Sequence, residues 1–287
     1  MPDLQGLTGL YVRAVAASAV VPVRKVLPGK TPSGLPDTEQ VVEGLEIRRD
    51  HLLAYQRVCA FRVRDVLPAT YVHQLAFPLA LRIMTDRSFP FPAMGLVHLD
   101  NEVSQLRELD ASETLTLRVR AANLTDHPKG RTFDILAEAA VGEEVPWRST
   151  STYLHKSGGG GEKRSREDET PPPAPQAIWS VPGDIGRRYA AVTGDRNPIH
   201  LHPVTAKAFG MRRPIAHGMW VKARCLAALE SLLPPAYTAA VRFKAPLGLP
   251  SRVAFTSQPQ DGGRAFSVRS ASAGRPHLEG TVRPTVG

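Results

Sequence analysis

Between Tyr189 and Pro203 the chain reads YAAVTGDRNPIHLHP, and it places Asp195, Asn197, His200 and His202 around Pro198 within a few residues. A carboxyl and an imidazole this close can move two protons on one face of a bound molecule, one group as acid and the other as base. Two other readings are open. TGDRNP could be only a helix stop, a glycine followed by an Asx turn. That accounts for Gly194, Asp195 and Asn197 but leaves His200 and the later His217-Gly218 pair without a reason. Asp195, His200, His202 and His217 could instead ligate a metal, since His-x-His suits a strand. The segment holds two prolines and does not read as a strand, so no metal is expected.

The elements that must position these residues follow from pattern. DIGRRYAAVTG, 184–194, is a helical phrase closed by glycine. MWVKARCLAALESLL, Met219 to Leu233, is apolar around most of its circumference and is stopped by Pro234-Pro235. A helix of that kind is buried. Four strand-like runs follow (TAAVRFKAP, RVAFTSQ, AFSVRSA and HLEGTVRP), separated by Gly and Pro turn signals. The first half repeats the plan. It has HLLAYQRVCAF, a proline-led LPATYVHQLAFPLALRIM, and then MGLVHLDNEVSQL, TLTLRVRAANL, TFDILAEAAV and PWRSTSTYLHK. Each half therefore reads as an α+β unit, a long antiparallel sheet wrapped around one buried helix, and two such units would cover each other's edges. The halves differ between Tyr-x-x-Val (Tyr55 to Val58, Tyr189 to Val192) and the proline before the second helix (Pro68, Pro214). The second half inserts the polar turn there; the first has no matching acid and histidine.

Composition bounds the rest. The chain has 287 residues, 42% hydrophobic and 22% charged, which suits one large or two small packed domains. SGGGGEKRSREDETPPPAP, 157–175, reads as a flexible linker between units at 1–156 and 176–287. Two cysteines, Cys59 and Cys225, lie in apolar helical phrases, so no disulfide framework is expected and the chain reads as reduced and cytoplasmic. No apolar run approaches the ~20 residues of a membrane helix, and GLYVRAVAASAVVP lacks the basic opening of a signal peptide. The net charge of +9 suggests an anionic partner. Nucleic acid is not expected, because no helix-turn-helix or zinc-finger spacing is present. Arg187, Arg188, Arg196, Lys207, Arg212, Arg213, Lys222 and Arg224 instead flank Asp195 in sequence, the single acid between Arg187 and Arg224; they form either a basic field around it or a scatter over two helices with no shared face.

YAAVTGDRNPIHLHPVTAKAFGMRRPIAHGM resembles the motif of the MaoC-like dehydratases, the (R)-specific enoyl-thioester hydratases. The matching positions are Tyr189, Thr193, Gly194, Asp195, Asn197, Pro198, Ile199 and His200, then Pro214, Ile215, His217 and Gly218. The motif spans about thirty residues, VRFKAPLGLPSRV extends the likeness, and the first half is similar to the motif-poor unit of two-unit members through LPATY, FPLALRIMTD and FPFPAMGLVHLDNEV. The resemblance implies a double hotdog fold that forms an internal pseudo-dimer, with a homodimer as a further option. It implies Asp195 and His200 as the catalytic pair, Asn197 as holding the loop or ligand, and the Gly218 backbone N–H as polarising the thioester carbonyl. It implies reversible hydration of trans-2-enoyl thioesters to (3R)-3-hydroxyacyl thioesters, carried on CoA or an acyl carrier protein, with no cofactor.

General chemistry agrees. A proton must move at C2 and a hydroxyl at C3, and the enolate-like oxygen needs a fixed donor such as the first N–H of a helix. Which of the pair handles which proton stays open, with His200 the first candidate for the C2 proton. A thioester-binding module or a thioesterase is the alternative, but the acid on the second buried helix, Glu230, lies near its C-terminal end. Arg212, Arg213 and Lys222 are expected to recruit the anionic carrier. Pro78 is expected to bend or delay the first-half helix and to open an acyl tunnel along Leu75, Phe77, Leu79 and Leu81.

Overall fold

The computed structural model describes residues 34–157 and 174–285. The segment GLYVRAVAASAVVP and all but the ends of the expected linker lie outside these residues. The first unit runs β1 (Gln40–Leu45), α1 (Arg49–Cys59), α2 (Ala69–Met84), β2 (Val97–Gln105), β3 (Leu115–His127), β4 (Gly130–Val141) and β5 (Glu144–Lys156). The second runs β6 (Ala177–Val181), α3 (Ile185–Thr193), a 3-10 turn (Pro198–His200), α4 (Pro203–Ala208), α5 (Gly218–Leu229), β7 (Tyr237–Phe243), β8 (Ser251–Gln260), β9 (Gly263–Ser270) and β10 (Pro276–Pro284).

The strands form one ten-stranded sheet in the order β1-β3-β4-β5-β2-β7-β10-β9-β8-β6. Every pairing is antiparallel. Read outward from the centre, the two halves repeat each other. They meet where β2 pairs with β7, from Asp100 opposite Arg242 to Gln105 opposite Tyr237. This is the double hotdog, with each unit's central edge strand covered by the other's.

Alternation decides which face of each strand turns inward. In β3, Leu115, Leu117 and Val119 are buried while Arg118 and Arg120 are exposed. Those inward faces close over α2 and α5, and one apolar core crosses both units, from Trp147 and Phe133 to Leu226 and Val268.

Three sequence expectations change. β1 and β6 were not among the expected strands. They are short edge strands with half-exposed alternation, so their apolar signal is weak. The second buried helix is α only to Leu229 and tightens into a 3-10 turn over Glu230–Leu232. Pro234 drives the residue before it into extended backbone, with Leu233 at ψ 131°, so the last α turn cannot form. Pro78 does not displace the first helix: α2 runs unbroken through it, and Leu75, Leu79 and Leu81 are buried. A mid-helix proline costs about 3 kcal/mol, whereas burying one large apolar side chain contributes about 1.5–3 kcal/mol. Only Phe77 and Arg82 of the sixteen residues in α2 are not buried, so packing outweighs the lost hydrogen bond.

Candidate active site

The polar turn begins where α3 ends. Gly194 adopts the left-handed conformation, φ 73°, and its N–H closes on Ala190 O. Thr193 Oγ1 donates back to Tyr189 O at 2.9 Å and accepts from Asp195 N at 3.3 Å. The Asn197 N–H donates to Asp195 Oδ1 at 3.3 Å, and Asn197 Oδ1 accepts from Ile199 N at 3.4 Å, capping the 3-10 turn that carries His200. Asn197 thus holds the loop.

Gly186 makes room for that turn. A Cβ built on it would lie 2.1 Å from His200 O, so α3 and the turn touch backbone to backbone.

His200 is buried, and its Nδ1–H donates to Ile215 O at 2.8 Å. A carbonyl can only accept, so in the neutral ring the lone pair is on Nε2. Burial, with a smaller push from His217, lowers the His200 pKa to about 3; Asp195 opposes this more weakly. His200 therefore stands as a neutral imidazole with its basic nitrogen free of that clamp.

His217, at the N-cap of α5, donates through Nε2–H to Asp195 O at 3.0 Å, with the Asp195 carboxylate 3.7 Å away. Its ring stacks on His200 with centroids 3.7 Å apart and lies 4.9 Å from that of Tyr189. Asp195, His200 and His217 each bring a polar atom within 4.8 Å of the others. The two imidazoles are stacked at 28°. Lone pairs lie in the ring planes, so stacked rings do not converge on one ion, and the arrangement suits proton transfer better than metal ligation. His202 is exposed and caps α4, accepting from Val204 N at 3.2 Å.

Gly218 opens α5 beside this cluster, where the first N–H groups of a helix have no intrahelical acceptor. It is glycine for a contact reason, since a Cβ there would come within 2.8 Å of the Phe243 ring. Phe243 packs on His98 at 4.8 Å, and His98 stacks on Tyr153 at 4.5 Å. Burial lowers the His98 pKa to about 3, with Lys222 lowering it further and Asp195 pulling it up slightly. Burial, and then Asp195, push the Tyr153 hydroxyl up. Through Phe243, which Gly218 meets, His98 and Tyr153 of the first unit pack beside the opening of α5, so the site lies between the units. His98 and Phe243 lie in the stretches FPFPAMGLVHLDNEV and VRFKAPLGLPSRV that extend the family likeness, but neither they nor Tyr153 were singled out as site residues by it.

The basic residues do not share a face. Arg212 and Arg213 are exposed, and Arg213 Nη1 donates to Pro250 O at 2.9 Å. Arg224 lies over the Trp179 ring at 4.4 Å. Lys222 overturns its expected role at the surface, because it is 0% exposed. Its ammonium donates to Asn101 O at 3.2 Å, to Asn101 Oδ1 and to Ala239 O at 2.8 Å, across the β2–β7 seam. It cannot meet a carrier. Its place on an almost wholly apolar helix was the available signal, since a lysine there points inward unless its stem reaches a rim.

Glu230, the acid a thioesterase reading would need, is 3.1 Å from Arg64 and accepts from Arg62 N at 3.0 Å, remote from Gly218 along α5. It sits in a small pocket of about 90 Å³ with Pro68, Ala69, Gln105 and Tyr237. Under the sheet's internal symmetry this is the counterpart of the active site, at the start of α2.

A MaoC like domain matches residues 166–280. The 3-hydroxyacyl-thioester dehydratase X of Mycobacterium tuberculosis is 37% identical over 288 residues, covering 99% of each chain. Its crystal structure, HtdX, superimposes with a TM-score of 0.78 at 36% identity, covering 86% of this chain and 100% of that one. Enoyl-CoA hydratase ChsH3 of the same organism is 33% identical over 218 residues, 71% of this chain and 72% of its own. The chain belongs to the MaoC-like dehydratase family.

Proposed function

We propose that this hydro-lyase interconverts trans-2-enoyl and (3R)-3-hydroxyacyl thioesters, with Asp195 and His200 as its acid–base pair. The observation that carries the reading is the His200 clamp: Nδ1–H is tied to Ile215 O, so Nε2 is presented as a base beside Asp195 and the opening of α5. The named activities of the two relatives, thioester dehydration and enoyl-CoA hydration, support the same reaction class.

In the dehydration direction His200 Nε2 takes the proton from C2 as the Gly218 N–H supports negative charge on the thioester oxygen. The Asp195 carboxyl gives a proton to the C3 hydroxyl, which leaves as water. A proton then returns from His200 to Asp195 before the next turnover, and hydration is the reverse. Mixing the protein with crotonyl-CoA and following enoyl absorbance tests the activity. Oxidation of the product by a (3R)- but not a (3S)-specific dehydrogenase tests the stereochemistry. Release of free thiol with no 3-hydroxyacyl thioester formed would instead mark a thioesterase.

The carrier is a CoA or acyl-carrier-protein thioester, and the exposed Arg212 and Arg213 are its proposed contacts. Charges at the surface are screened over about 8 Å at physiological ionic strength. Arg212→Glu with Arg213→Glu should therefore raise KM at low salt and leave kcat nearly unchanged, with the difference fading as salt rises. A KM indifferent to both changes would remove these residues from the site.

A further inference from the structure

The first unit reaches the catalytic turn through a histidine outside the motif. His51 lies on α1, and its Nε2–H donates to Val192 O at 2.7 Å. Val192 is in the last turn of α3, where carbonyls lack intrahelical donors. Three residues later comes Asp195. The other ring nitrogen of His51, Nδ1, accepts from the Tyr71 hydroxyl at 2.9 Å, which holds the ring in the tautomer that donates to Val192.

The bond has a counterpart of opposite direction. Trp220 Nε1–H, on α5 of the second unit, donates to Val58 O in the last turn of α1 at 2.9 Å. Val58 and Val192 are the corresponding residues of the two Tyr-x-x-Val phrases. Each unit therefore caps the other's first helix. Only in the second unit does that helix end in the polar turn.

A column of rings joins the same places. From His51 it passes to Tyr71 (5.5 Å), Tyr55 (5.2 Å), Tyr189 (6.3 Å), His217 (4.9 Å) and His200 (3.7 Å). Tyr55, Tyr71 and Tyr189 are buried within it. The packing on one side of His200 thus originates in α1 and α2.

We propose that His51, oriented by Tyr71, is a positioning residue of the active site: the first unit uses it to fix the end of α3 and so the placement of Asp195 and His200. The catalytic consequence rests on the hydratase reading above; the clamp itself does not. A misplacement of about 1 Å at a reacting group costs roughly 100-fold in rate.

The test compares His51→Leu, His51→Gln and wild type, with kcat and KM for crotonyl-CoA and hydrogen exchange over residues 190–200. Leucine keeps the bulk and loses the donor; the glutamine amide can still reach Val192 O. The expected result is a kcat lower by about 10- to 100-fold for His51→Leu with KM close to wild type, most of the loss recovered in His51→Gln, and faster exchange in the turn for the leucine variant alone. A folded His51→Leu with wild-type kcat, or a glutamine variant as impaired as leucine, overturns the proposal. If the wild type proves inactive on enoyl thioesters, the functional reading has failed and exchange decides the clamp by itself. In that case unchanged protection over 190–200 in His51→Leu overturns it.

Discussion

At the residue scale, the chemistry depends on two clamps to backbone carbonyls. In the proposed mechanism His200 serves as the base because Ile215 O holds its other nitrogen, and the loop bearing Asp195 is held by His217 through a main-chain oxygen. Asp195→Asn keeps the shape and the backbone bonds but loses the titratable oxygen; His200→Ala loses the base. Each should lower turnover by about 100- to 10,000-fold while melting within a few degrees of wild type, as steady-state kinetics and calorimetry would show. Near-normal turnover in either would end the assignment. Since burial takes the His200 pKa to about 3, its imidazole stays neutral as pH falls from 8 to 6, and kcat should not decline over that range through its protonation.

At the element scale, the site is a contact between α3 and the 3-10 turn of Pro198–His200, permitted by Gly186. The Gly186→Ala methyl would need the space His200 O occupies, 2.1 Å away. Backbone cannot swing aside as a long side chain can, so the turn must shift. The expected cost is about 1–3 kcal/mol of stability, as for other overpacked contacts, together with a loss of turnover of about 100-fold from the displaced His200. Thermal melting and kcat measured on the same preparation separate the two. A variant with lowered Tm and intact kcat would show that the turn tolerates the shift.

At the scale of the whole molecule, the interior between the units holds several imidazoles. His73, His98 and His200 all have pKa values lowered to about 3, chiefly by burial, and burial also lowers those of His51, His217 and His277. The unfolded chain takes up these protons near pH 6.5, whereas the native state does not. Their contribution is therefore complete above pH 6.5 and is lost progressively as pH falls towards 3. At 1.36 kcal/mol per unit, each of the three lowest would account for about 2 kcal/mol by pH 5. Against a total of about 5–15 kcal/mol, Tm should fall steeply between pH 7 and 5 at constant ionic strength. A flat profile would mean that these rings are hydrated in solution. The described residues include no helix long and apolar enough to cross a membrane.

The sequence by itself determined the class of fold and the motif, because these rest on short-range signals. Amphipathic period, a glycine at a helix end and an ordered run from Tyr189 to Gly218 are all legible within about thirty residues. It also showed that the two halves repeat and that one lacks the polar turn. What it left undecided depends on contacts between residues far apart in the chain. Lys222 reads as a basic surface residue until the β2–β7 seam supplies Asn101 and Ala239 as its acceptors. Pro78 reads as a break until the packing of α2 outweighs it. Gly186 is unremarkable until His200 O lies against it. His51 and Val192 are 141 residues apart and become partners only when the two units pair. Period and composition report which face of an element is buried. Which particular group it is buried against is settled only when the sheet closes, because close packing and the satisfaction of buried polar atoms are properties of the assembled interior.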